Sequence, residues 1–513
     1  MAPHPEHRNP VLPGFFPDPS IVRVGEDYYL INSTFQYFPA IVISQSRDLV
    51  NWKQIGHVFT KNEELDLREY FDGCGIWAPD ISWHDGEFFI FYCLVQLKMD
   101  RSVNVRGNYM VKSKSIHGPW SEPVQLTDHG NDPSHFVDDD GTHYMLYAAG
   151  IPKGTATKIV RLNDECTEVI GEAQWIDYGI QVKAPEGPHL FKKDGWYYHT
   201  MAAGSGVYEG HHQLIARSRH IFGPYEPGPH NPFIAQFDES SMFYHHGHAK
   251  LVQTWDGDWW AAYLVRRHFG GFSPLGRETG IDRVDWLDDG WPVLNQGTGP
   301  SEGSGGAEPQ ALTFRDDFDA AHLDLRWNFV RNPEPSHFSL SECPGWLRIS
   351  TAAADVDAPA PQSILVQRET GHHFTATTRM EFQSQKGGEA GLLAYYGTKC
   401  FIKFGLAGDG LLRLEECRRG ERTILAEVDD IADGPLDLRM EVDGLRRSFS
   451  YRQDGAAWKL AGIVEDASFL SDEGTPDWGF TGTMTGMFAA HHGSGLLLPA
   501  YFDFFSLENT ATA

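Results

Sequence analysis

Four carboxyl residues and one histidine occupy similar places in five related stretches of the sequence. Asp18, Asp80, Asp132, Glu186 and His248 each begin a segment in which an apolar pair is followed by a turn and an aromatic-rich run. These residues are 62, 52, 54 and 62 positions apart. An isolated Asp before Pro is usually a turn residue, but the repetition predicts that the five side chains converge on one site.

Converging carboxyl groups have a defined chemistry. In a poorly solvated funnel they repel one another, so the pKa of one of them is expected to rise until it stays protonated near neutral pH. One protonated and one ionised carboxyl group then form an acid–base pair. The hydrolysis of a glycosidic bond uses such a pair.

The segments also predict the elements that must position these residues. Each segment has the pattern of a β-hairpin, and the residues between segments predict two further strands. Four strands repeated five times are typical of a five-bladed β-propeller, in which the innermost strand of each blade lines a central channel. Helical periodicity of useful length is missing, which argues against βαβ units.

The composition divides the chain into two predicted domains. Residues 1–300 contain the repeats and are assigned to the propeller, and residues 301–312 belong to a Gly-, Ser- and Pro-rich linker. Residues 313–513 alternate apolar and polar residues in short segments with Gly-rich turns. That pattern predicts a β-sandwich of the jelly-roll type.

The charge of the chain restricts its partners. The 513 residues include 42 Lys and Arg against 70 Asp and Glu, a formal net charge of −28. Such a field repels nucleic acid and an anionic membrane surface, so a neutral or cationic substrate is expected. No segment approaches the roughly 20 apolar residues of a transmembrane helix. The 13% of aromatic residues suits sugar binding, although all-β cores are also rich in aromatic residues.

The cysteines and the first residues bear on the compartment. Six cysteines are scattered without a Cys-x-x-Cys pair, which predicts neither a zinc framework nor a disulfide scaffold. The opening MAPHPEHRNP is polar and Pro-rich and has no apolar signal region. A cytoplasmic location is therefore expected, although a chain trimmed of its leader would look the same.

The ordered motifs resemble a known family. The stretches FFPDPS, GIWAPDI, NDPSHF, EGPHLF, HGHAKL and PLGRETGIDRV are similar to glycoside hydrolase family 43, and the similarity is strongest to its β-xylosidase branch. AGLLAYYGTKCFIKF and AYFDFFSLEN resemble the C-terminal sandwich of the same enzymes. The resemblance covers nearly the whole chain. It implies an all-β protein with a five-bladed β-propeller followed by a concanavalin-like β-sandwich.

The resemblance also implies catalytic roles. Asp18 would be the general base that activates water, and Glu186 the general acid that protonates the leaving oxygen. Asp132 would orient Glu186 and tune its pKa. The family inverts the anomeric centre, which requires the acid and the base to lie about 6.5–9.5 Å apart.

Further residues are implied to bind the sugar, each with a simpler alternative. Arg277 would hold substrate hydroxyls, or would pair with Glu278 on the surface. Phe35 and Trp77 would line the sugar pocket, or would belong to an aromatic core. Asp80 would contact substrate or form part of the channel wall.

His248 matches a family histidine near the propeller axis that ligates calcium in many relatives, with water as most of the other ligands. One imidazole is a weak calcium site because calcium prefers oxygen. The alternative is a hydrogen-bonded or charged partner of the acidic cluster. Zinc bound by His245, His246 and His248 is not expected, since neighbouring strand residues point to opposite faces. No organic cofactor is implied.

These expectations define a function. The protein is expected to be an inverting exo-glycosidase that releases D-xylose from the non-reducing ends of β-1,4-xylo-oligosaccharides, with α-L-arabinofuranosidase side activity. The stretch LYAAGIPKGTATK lacks the Trp that shapes the pocket of relatives, which leaves the choice between xylose and arabinose open.

Several alternative functions stay open. One is an enzyme acting mainly as an α-L-arabinofuranosidase on arabinoxylan or arabinan fragments, and another is a non-catalytic carbohydrate-binding propeller. A retaining fructosidase is disfavoured because its WMNDPNG, RDP and EC motifs are missing. The sandwich is expected to close one side of the pocket, and the alternative is a detachable sugar-binding module. The expected partners are small xylo- and arabino-oligosaccharides, and homo-oligomerisation is left open.

Overall fold

The structure is a computed structural model. It describes residues 9–97, 103–151, 154–176, 184–204, 210–238, 241–301, 309, 311–383, 387–429, 431–491 and 497–510. Most of the predicted linker 301–312 lies outside these residues, as do the first eight residues and positions 152 and 153 of the stretch without a Trp. In the described part of the chain, no helix is long and apolar enough to cross a membrane.

Five four-stranded antiparallel sheets form the blades of the propeller. Blade 1 contains β1 (Ser20–Val24), β2 (Asp27–Asn32), β4 (Ala40–Ser46) and β5 (Lys53–Phe59), with β3 (Tyr37–Phe38) between β2 and β4 in the chain. Blade 2 contains β6 (Gly75–His84), β7 (Glu87–Leu97), β8 (Val103–Ser113) and β9 (Val124–Thr127). Blade 3 contains β10 (Asn131–Val137), β11 (His143–Ile151), β12 (Gly154–Leu162) and β13 (Val169–Trp175).

Blade 4 contains β14 (Glu186–Lys193), β15 (Trp196–Ala203), β16 (His212–Ser218) and β17 (Glu226–Pro227). Blade 5 contains β18 (Phe243–Gln253), β19 (Trp259–Arg267), β20 (Arg277–Trp286) and β21 (Pro292–Leu294). The predicted hairpins are the first two strands of each blade. Their turns are local: Asp85–Gly86 and Asp194–Gly195 have positive φ at both positions, as a tight two-residue hairpin turn requires.

The innermost strand of every blade has the same irregularity at its entrance. Five residues, each in the left-handed region with φ between 24° and 55°, form what we call the upper ring: Asp18, Ala78, Asp132, Gly187 and His248. In blades 2 to 5 the pairing of the innermost strand shifts register next to this residue. A bulge of this kind re-aims side chains at the mouth of a sheet.

The upper ring corrects the sequence alignment of the blades. Asp80 and Glu186 were expected at positions equivalent to the other three residues, but Ala78 and Gly187 occupy those positions. Glu186 lies one residue earlier and Asp80 two residues later. Gly187 has little freedom here, because a Cβ would lie 2.8 Å from the ring of His248.

The residues two positions further along form a second layer, which we call the lower ring: Ser20, Asp80, Ser134, His189 and Lys250. Asp80, only 1% exposed, is the centre of this layer. Its Oδ1 accepts hydrogen bonds from Ser20 Oγ at 2.7 Å and Lys250 Nζ at 2.5 Å, and lies 3.5 Å from His189 Nδ1.

The contacts of Asp80 reach every blade. Its Oδ2 accepts the backbone N–H of His135 in blade 3 at 2.8 Å. Burial alone would raise the pKa of Asp80, but Lys250, His189 and the His135 N–H outweigh burial and hold that pKa below its ordinary value. One buried negative charge therefore joins blade 2 to the other four blades.

The N-terminal residues close the propeller between its last and first blades. Val11 and Leu12 pair with Thr279 of β20, the Val11 N–H donating to the Thr279 carbonyl at 2.9 Å. The side-chain amide of Asn32 in blade 1 donates to Thr279 Oγ1 at 3.0 Å. Short hydrogen-bonded contacts therefore hold blade 5 against blade 1.

The second domain is a sandwich of two antiparallel sheets. One sheet has the order β24 (Phe338–Ser339), β25 (Leu347–Ser350), β36 (Pro499–Asn509), β27 (His373–Phe382), β32 (Leu436–Asp443), β33 (Arg446–Gln453) and β34 (Lys459–Val464), with β22 (Phe314–Asp316) pairing β36. The other has the order β3, β23 (Asn328–Val330), β26 (Ser363–Arg368), β35 (Met484–His491), β28 (Gly388–Gly397), β29 (Cys400–Ala407), β30 (Leu412–Arg418) and β31 (Glu421–Val428). Leu392 and Phe404 of one sheet share a buried core with Leu438 and Phe502 of the other.

The described residues also contain two 3₁₀ turns, Asn295–Gly297 and Pro335–His337. The predicted all-β fold is confirmed.

The two domains are joined by main-chain pairing. Strand β3 belongs to the propeller in sequence but extends a sheet of the sandwich, where Phe38 pairs with Phe329 and Tyr37 with Val330. Beside this pair, Arg331 donates to Asp72 at 2.9 Å, and Asp72 also accepts the Thr398 N–H at 2.7 Å. A shared sheet edge with buried charge pairs is unlike the attachment of a detachable module.

Substitution of Asp80 tests the role of the lower ring. Asp80→Ala leaves Lys250 charged and largely buried without its partner, which costs about 3–5 kcal/mol of unfolding free energy. Urea unfolding should therefore show a clear drop in the midpoint. The matched control is Asp85→Asn in the adjoining hairpin turn, whose side chain is 90% exposed and whose effect should stay within about 0.5 kcal/mol. Equal midpoints for the two variants would contradict the assignment.

Candidate active site

A pocket lies where the upper ring meets the sandwich. Seven of the eight predicted site residues line it. The lining residues are Asp18, Phe35, Trp77, Ala78, Asn131, Asp132, Glu186, His248, Arg277 and Phe480. Asp80 is the exception: it belongs to the lower ring, buried and bonded to Lys250, and this position favours the alternative of a channel-wall residue over contact with substrate.

Asp18 is held as a hydrogen-bond acceptor. Its Oδ2 accepts from Ser33 Oγ at 2.7 Å, and its Oδ1 accepts from Arg277 Nη1 at 2.7 Å. The side chain is almost fully buried at the pocket wall. Both contacts donate to the carboxylate, which fixes its direction.

Arg277 connects Asp18 to the second domain. Its Nη2 donates to the carbonyl oxygen of Phe480 at 3.1 Å, and its guanidinium lies 5.3 Å from the Phe35 ring centre and 5.4 Å from that of Phe480. The alternative pairing with Glu278 on the surface is wrong. Glu278 is buried and pairs with Arg267 at 2.6 Å.

Glu186 is the most accessible of the three carboxyl groups in the pocket, with 26% of its side chain exposed. It is the first residue of β14 and stands beside Gly187 of the upper ring. The Gly187 N–H donates to Asp132 Oδ2 at 2.9 Å, so Asp132 is tied to the backbone that carries Glu186. His211 Nε2 lies 3.3 Å from Glu186 Oε1.

Asp132 and His248 form a buried charge pair. His248 Nε2 lies 3.7 Å from Asp132 Oδ2. Burial disfavours the charged imidazole, but Asp132, Asp18 and Glu186 outweigh it and raise the pKa of His248 to about 9. Burial would likewise raise the pKa of Asp132, and His248 with the Gly187 N–H lowers it instead. At neutral pH the pair is an imidazolium and a carboxylate.

This pair is a poor fit to calcium. Calcium prefers six to eight oxygen ligands. Among the described residues, no third His, Cys, Asp or Glu atom joins Asp132 and His248 within 4.8 Å. The residues fit the alternative, a charged partner of the acidic cluster, and calcium at His248 stays a prediction from resemblance alone.

The apolar wall of the pocket comes from both domains. Phe35 and Phe480 stack with ring centres 5.9 Å apart, and Trp77 meets Phe480 edge-on at 5.0 Å. The Trp77 indole N–H donates to the Gly73 carbonyl at 2.9 Å, which fixes the ring. Aromatic faces arranged beside carboxyl groups suit a sugar ring, which has an apolar face and polar edges.

The sequence reasoning missed Phe480, Asn131 and His211. Phe480 lies between the predicted strands of the sandwich in the stretch WGFTGTMTG, where no period or motif distinguishes it. Asn131 directly precedes the predicted Asp132, so the blade repeat could have suggested it. His211 lies on an intervening part of blade 4, and its sequence shows no signal for contact with Glu186.

This combination of fold and site defines a glycoside hydrolase. One carboxylate accepts two fixed hydrogen bonds, a second carboxyl group is the most exposed in the pocket, and a third is buried beside it, as an acid–base pair for glycoside hydrolysis requires. The family model described as glycosyl hydrolases family 43 matches residues 7–292, and that described as the beta xylosidase C-terminal concanavalin A-like domain matches residues 315–508. The chain belongs to glycosyl hydrolase family 43.

Similar proteins match along nearly the whole chain. The xylan 1,3-beta-xylosidase of Vibrio sp. is 34% identical, with 97% of this chain and 98% of the relative covered. The xylosidase/arabinosidase 43B of Humicola insolens is also 34% identical, with coverage of 98% and 97%. The crystal structure of xylan beta-1,4-xylosidase from Bacillus halodurans has a TM-score of 0.90 at 33% identity and covers 98% of this chain and 100% of that one.

Truncation of the Phe480 ring tests the contribution of the sandwich to the pocket. Phe480→Ala removes the ring that stacks on Phe35 and opens the pocket wall, so kcat/KM on a small aryl glycoside should fall by roughly 10–100-fold. The exposed Phe237, with 60% exposure, provides the matched control Phe237→Ala, which should keep its activity. An unchanged kcat/KM in Phe480→Ala would show that the sandwich does not shape the site.

Proposed function

We propose that the protein is an inverting exo-glycosidase that releases single D-xylose residues from the non-reducing ends of β-1,4-xylo-oligosaccharides, with α-L-arabinofuranosidase side activity. The observation that carries the proposal is the gathering of Asp18, Glu186 and Asp132 in one small pocket closed by Phe480. The names of the relatives, which are xylosidases and a xylosidase/arabinosidase, support the class of sugar.

In this proposal Asp18 is the general base. As a water oxygen attacks the anomeric carbon, its proton passes to the Asp18 carboxylate, whose direction Ser33 and Arg277 fix. The positive charge of Arg277 also lies beside the bound sugar, where its remaining donors can hold hydroxyl groups.

Glu186 is the general acid. Its proton passes to the glycosidic oxygen while the bond from that oxygen to the anomeric carbon breaks, so the leaving chain departs as a neutral alcohol. Asp132 acts through its hydrogen bond to Gly187, which fixes the backbone next to Glu186. His248 neutralises Asp132, and this limits the repulsion between Asp132 and the other carboxyl groups.

The shape of the pocket supports an exo mode of action. Phe35 and Phe480 stack, and Trp77 packs edge-on against Phe480. A polymer threading through the site would have to displace this wall, whereas a terminal sugar can enter from the open side.

The second candidate is an enzyme that acts mainly as an α-L-arabinofuranosidase. The name of the Humicola insolens relative combines both activities, and the two pentoses present similar hydroxyl groups. The ratio of kcat/KM for an aryl β-D-xylopyranoside to that for an aryl α-L-arabinofuranoside distinguishes the two functions. A propeller that only binds sugar would hydrolyse neither.

The stereochemistry of the product tests the roles of the two carboxyl groups. A water activated by Asp18 attacks from the face opposite the leaving group, so a β-xyloside should release α-xylose first. Proton NMR within the first minutes of hydrolysis, before mutarotation, identifies the anomer. Initial β-xylose would overturn the assignment of Asp18 as base.

Substitution of the proposed acid gives a second test. Glu186→Gln should lower kcat on xylobiose by about 10²–10⁴-fold, because this leaving group needs a proton. On a nitrophenyl xyloside, whose leaving group is stable as an anion, the loss should be much smaller. Glu172→Gln on an exposed edge of blade 3 is the control and should leave both rates unchanged. Equal losses on the two substrates would contradict the acid role.

A further inference from the structure

Three metal-ligating side chains meet in the propeller core, away from the pocket. His135 lies on β10, His143 on β11, and Cys166 in the loop between β12 and β13, and all three are buried. His135 Nε2 lies 2.9 Å from His143 Nδ1, and Cys166 Sγ lies 3.2 Å from His143 Nδ1 and 3.7 Å from His135 Nε2. The proposed hydrolysis uses none of them.

The spacing of these atoms suits a tetrahedral zinc ion. Zinc bonds of about 2.0–2.1 Å to nitrogen and about 2.3 Å to sulfur place the ligand atoms of a tetrahedron roughly 3.3–3.6 Å apart. The observed separations of 2.9, 3.2 and 3.7 Å differ from these by less than about half an ångström. Small rotations of the side chains are therefore enough to bring the three atoms around one ion.

Ser82 supplies the outer contact that a zinc-binding histidine needs. Its Oγ lies 2.6 Å from His135 Nδ1, the ring nitrogen that faces away from the cluster. When His135 Nδ1 donates to Ser82, the lone pair of His135 Nε2 is directed at the cluster. Metal-ligating histidines almost always have such a partner on the second nitrogen, which fixes the tautomer and the ring orientation.

Aromatic side chains around the cluster hold the ligands in place. The ring of His135 stacks on Phe91 at 4.8 Å, and Phe89 packs against His135 at 5.1 Å and against His143 at 5.9 Å. His84 contacts His143 edge-on at 5.2 Å, and about a third of the His84 side chain is exposed. A fourth ligand can therefore come from the His84 side, as a water molecule or as the imidazole itself.

Hydrogen bonds within the loop between β12 and β13 fix the position of Cys166. Cys166 adopts a left-handed φ of 56°, which a non-glycine residue rarely does. Asn163 holds the turn: its carbonyl accepts the Cys166 N–H at 2.9 Å, and its side chain accepts the N–H groups of Thr167 and Glu168 at 2.8 and 3.1 Å. A strained backbone supported by this many hydrogen bonds keeps the thiol directed at the two imidazoles.

We propose that His135, His143 and Cys166 bind a thiophilic divalent cation of the zinc class as a structural site. Two imidazoles and one thiolate are ligands that select zinc over calcium or magnesium. On binding, the S–H bond of Cys166 is replaced by a metal–sulfur bond, and the proton leaves to solvent. The ion joins three parts of blade 3 beside the His135 N–H that holds Asp80, so it stabilises the contact between blades 2 and 3. The expectation that the cysteines form no zinc framework rested on cysteine pairs, which a mixed site does not need.

Cobalt substitution of the full-length protein tests the site directly. The chain is dialysed against a chelator, and Co²⁺ is added in buffer that contains excess calcium. One equivalent of Co²⁺ should bind with the visible bands of a tetrahedral ion and the near-ultraviolet charge-transfer band of a cobalt–thiolate bond. Zn²⁺ should then displace the cobalt and abolish both signals.

Substitutions show which side chains bind the metal ion. Cys166→Ser should lose the charge-transfer band, and His143→Asn should lose about one equivalent of bound Zn²⁺ per chain. The matched control is Cys417→Ser, which removes another buried free cysteine, in the sandwich, and should bind normally. Circular dichroism checks that each variant is folded.

Thermal unfolding gives an independent readout. Added Zn²⁺ should raise the unfolding midpoint of the parent protein by several degrees, because the ion binds only the folded state, and should shift Cys166→Ser much less. A parent protein without the charge-transfer band, or a Cys166→Ser variant with unchanged zinc content, would show that the cluster is only a hydrogen-bonded chain. These readouts do not use hydrolysis, so their failure is distinct from failure of the proposed enzyme activity.

Discussion

The buried carboxylate of Asp80 is the interaction on which the rest of the structure depends. It accepts hydrogen bonds from blades 1, 3 and 5 and lies 3.5 Å from an imidazole of blade 4. On each innermost strand, the residue of the upper ring comes two positions before the residue of the lower ring. The positions of Asp18 and Asp132 are therefore set by a charge that does not line the pocket. Burying charged groups along the axis costs desolvation free energy. The contacts of these groups offset that cost because they fix the register of all five blades.

Arg277 makes the two domains one catalytic unit. One nitrogen of its guanidinium holds Asp18, and another donates to the backbone of Phe480 from the sandwich. A shift of the sandwich would therefore move both the apolar wall of the pocket and the direction of the proposed base. The pairing of β3 with β23 prevents such a shift, because a strand of the propeller chain is part of the sandwich sheet.

The sequence predicted the repeats and the domain order well, because hairpin turns and strand alternation are local signals. It also brought together seven of the eight site residues. It misplaced Asp80 because bulges at the entrance of the innermost strands shift which residue faces the pocket, and a bulge leaves no mark in hydrophobic alternation. Phe480 could not be found, since its role arises only from packing between domains. The cluster of His135, His143 and Cys166 was missed for a related reason: its ligands come from two strands and a loop without a metal-binding spacing.

Charge pairing and exposure differ among the carboxyl groups along the axis. Three of them have cationic partners, and the pairs are Asp18 with Arg277, Asp80 with Lys250, and Asp132 with His248. Glu186 lies 3.3 Å from the imidazole of His211 and is the most exposed of the four. Its exposure makes Glu186 the carboxyl group best placed to meet the leaving oxygen in the proposed hydrolysis.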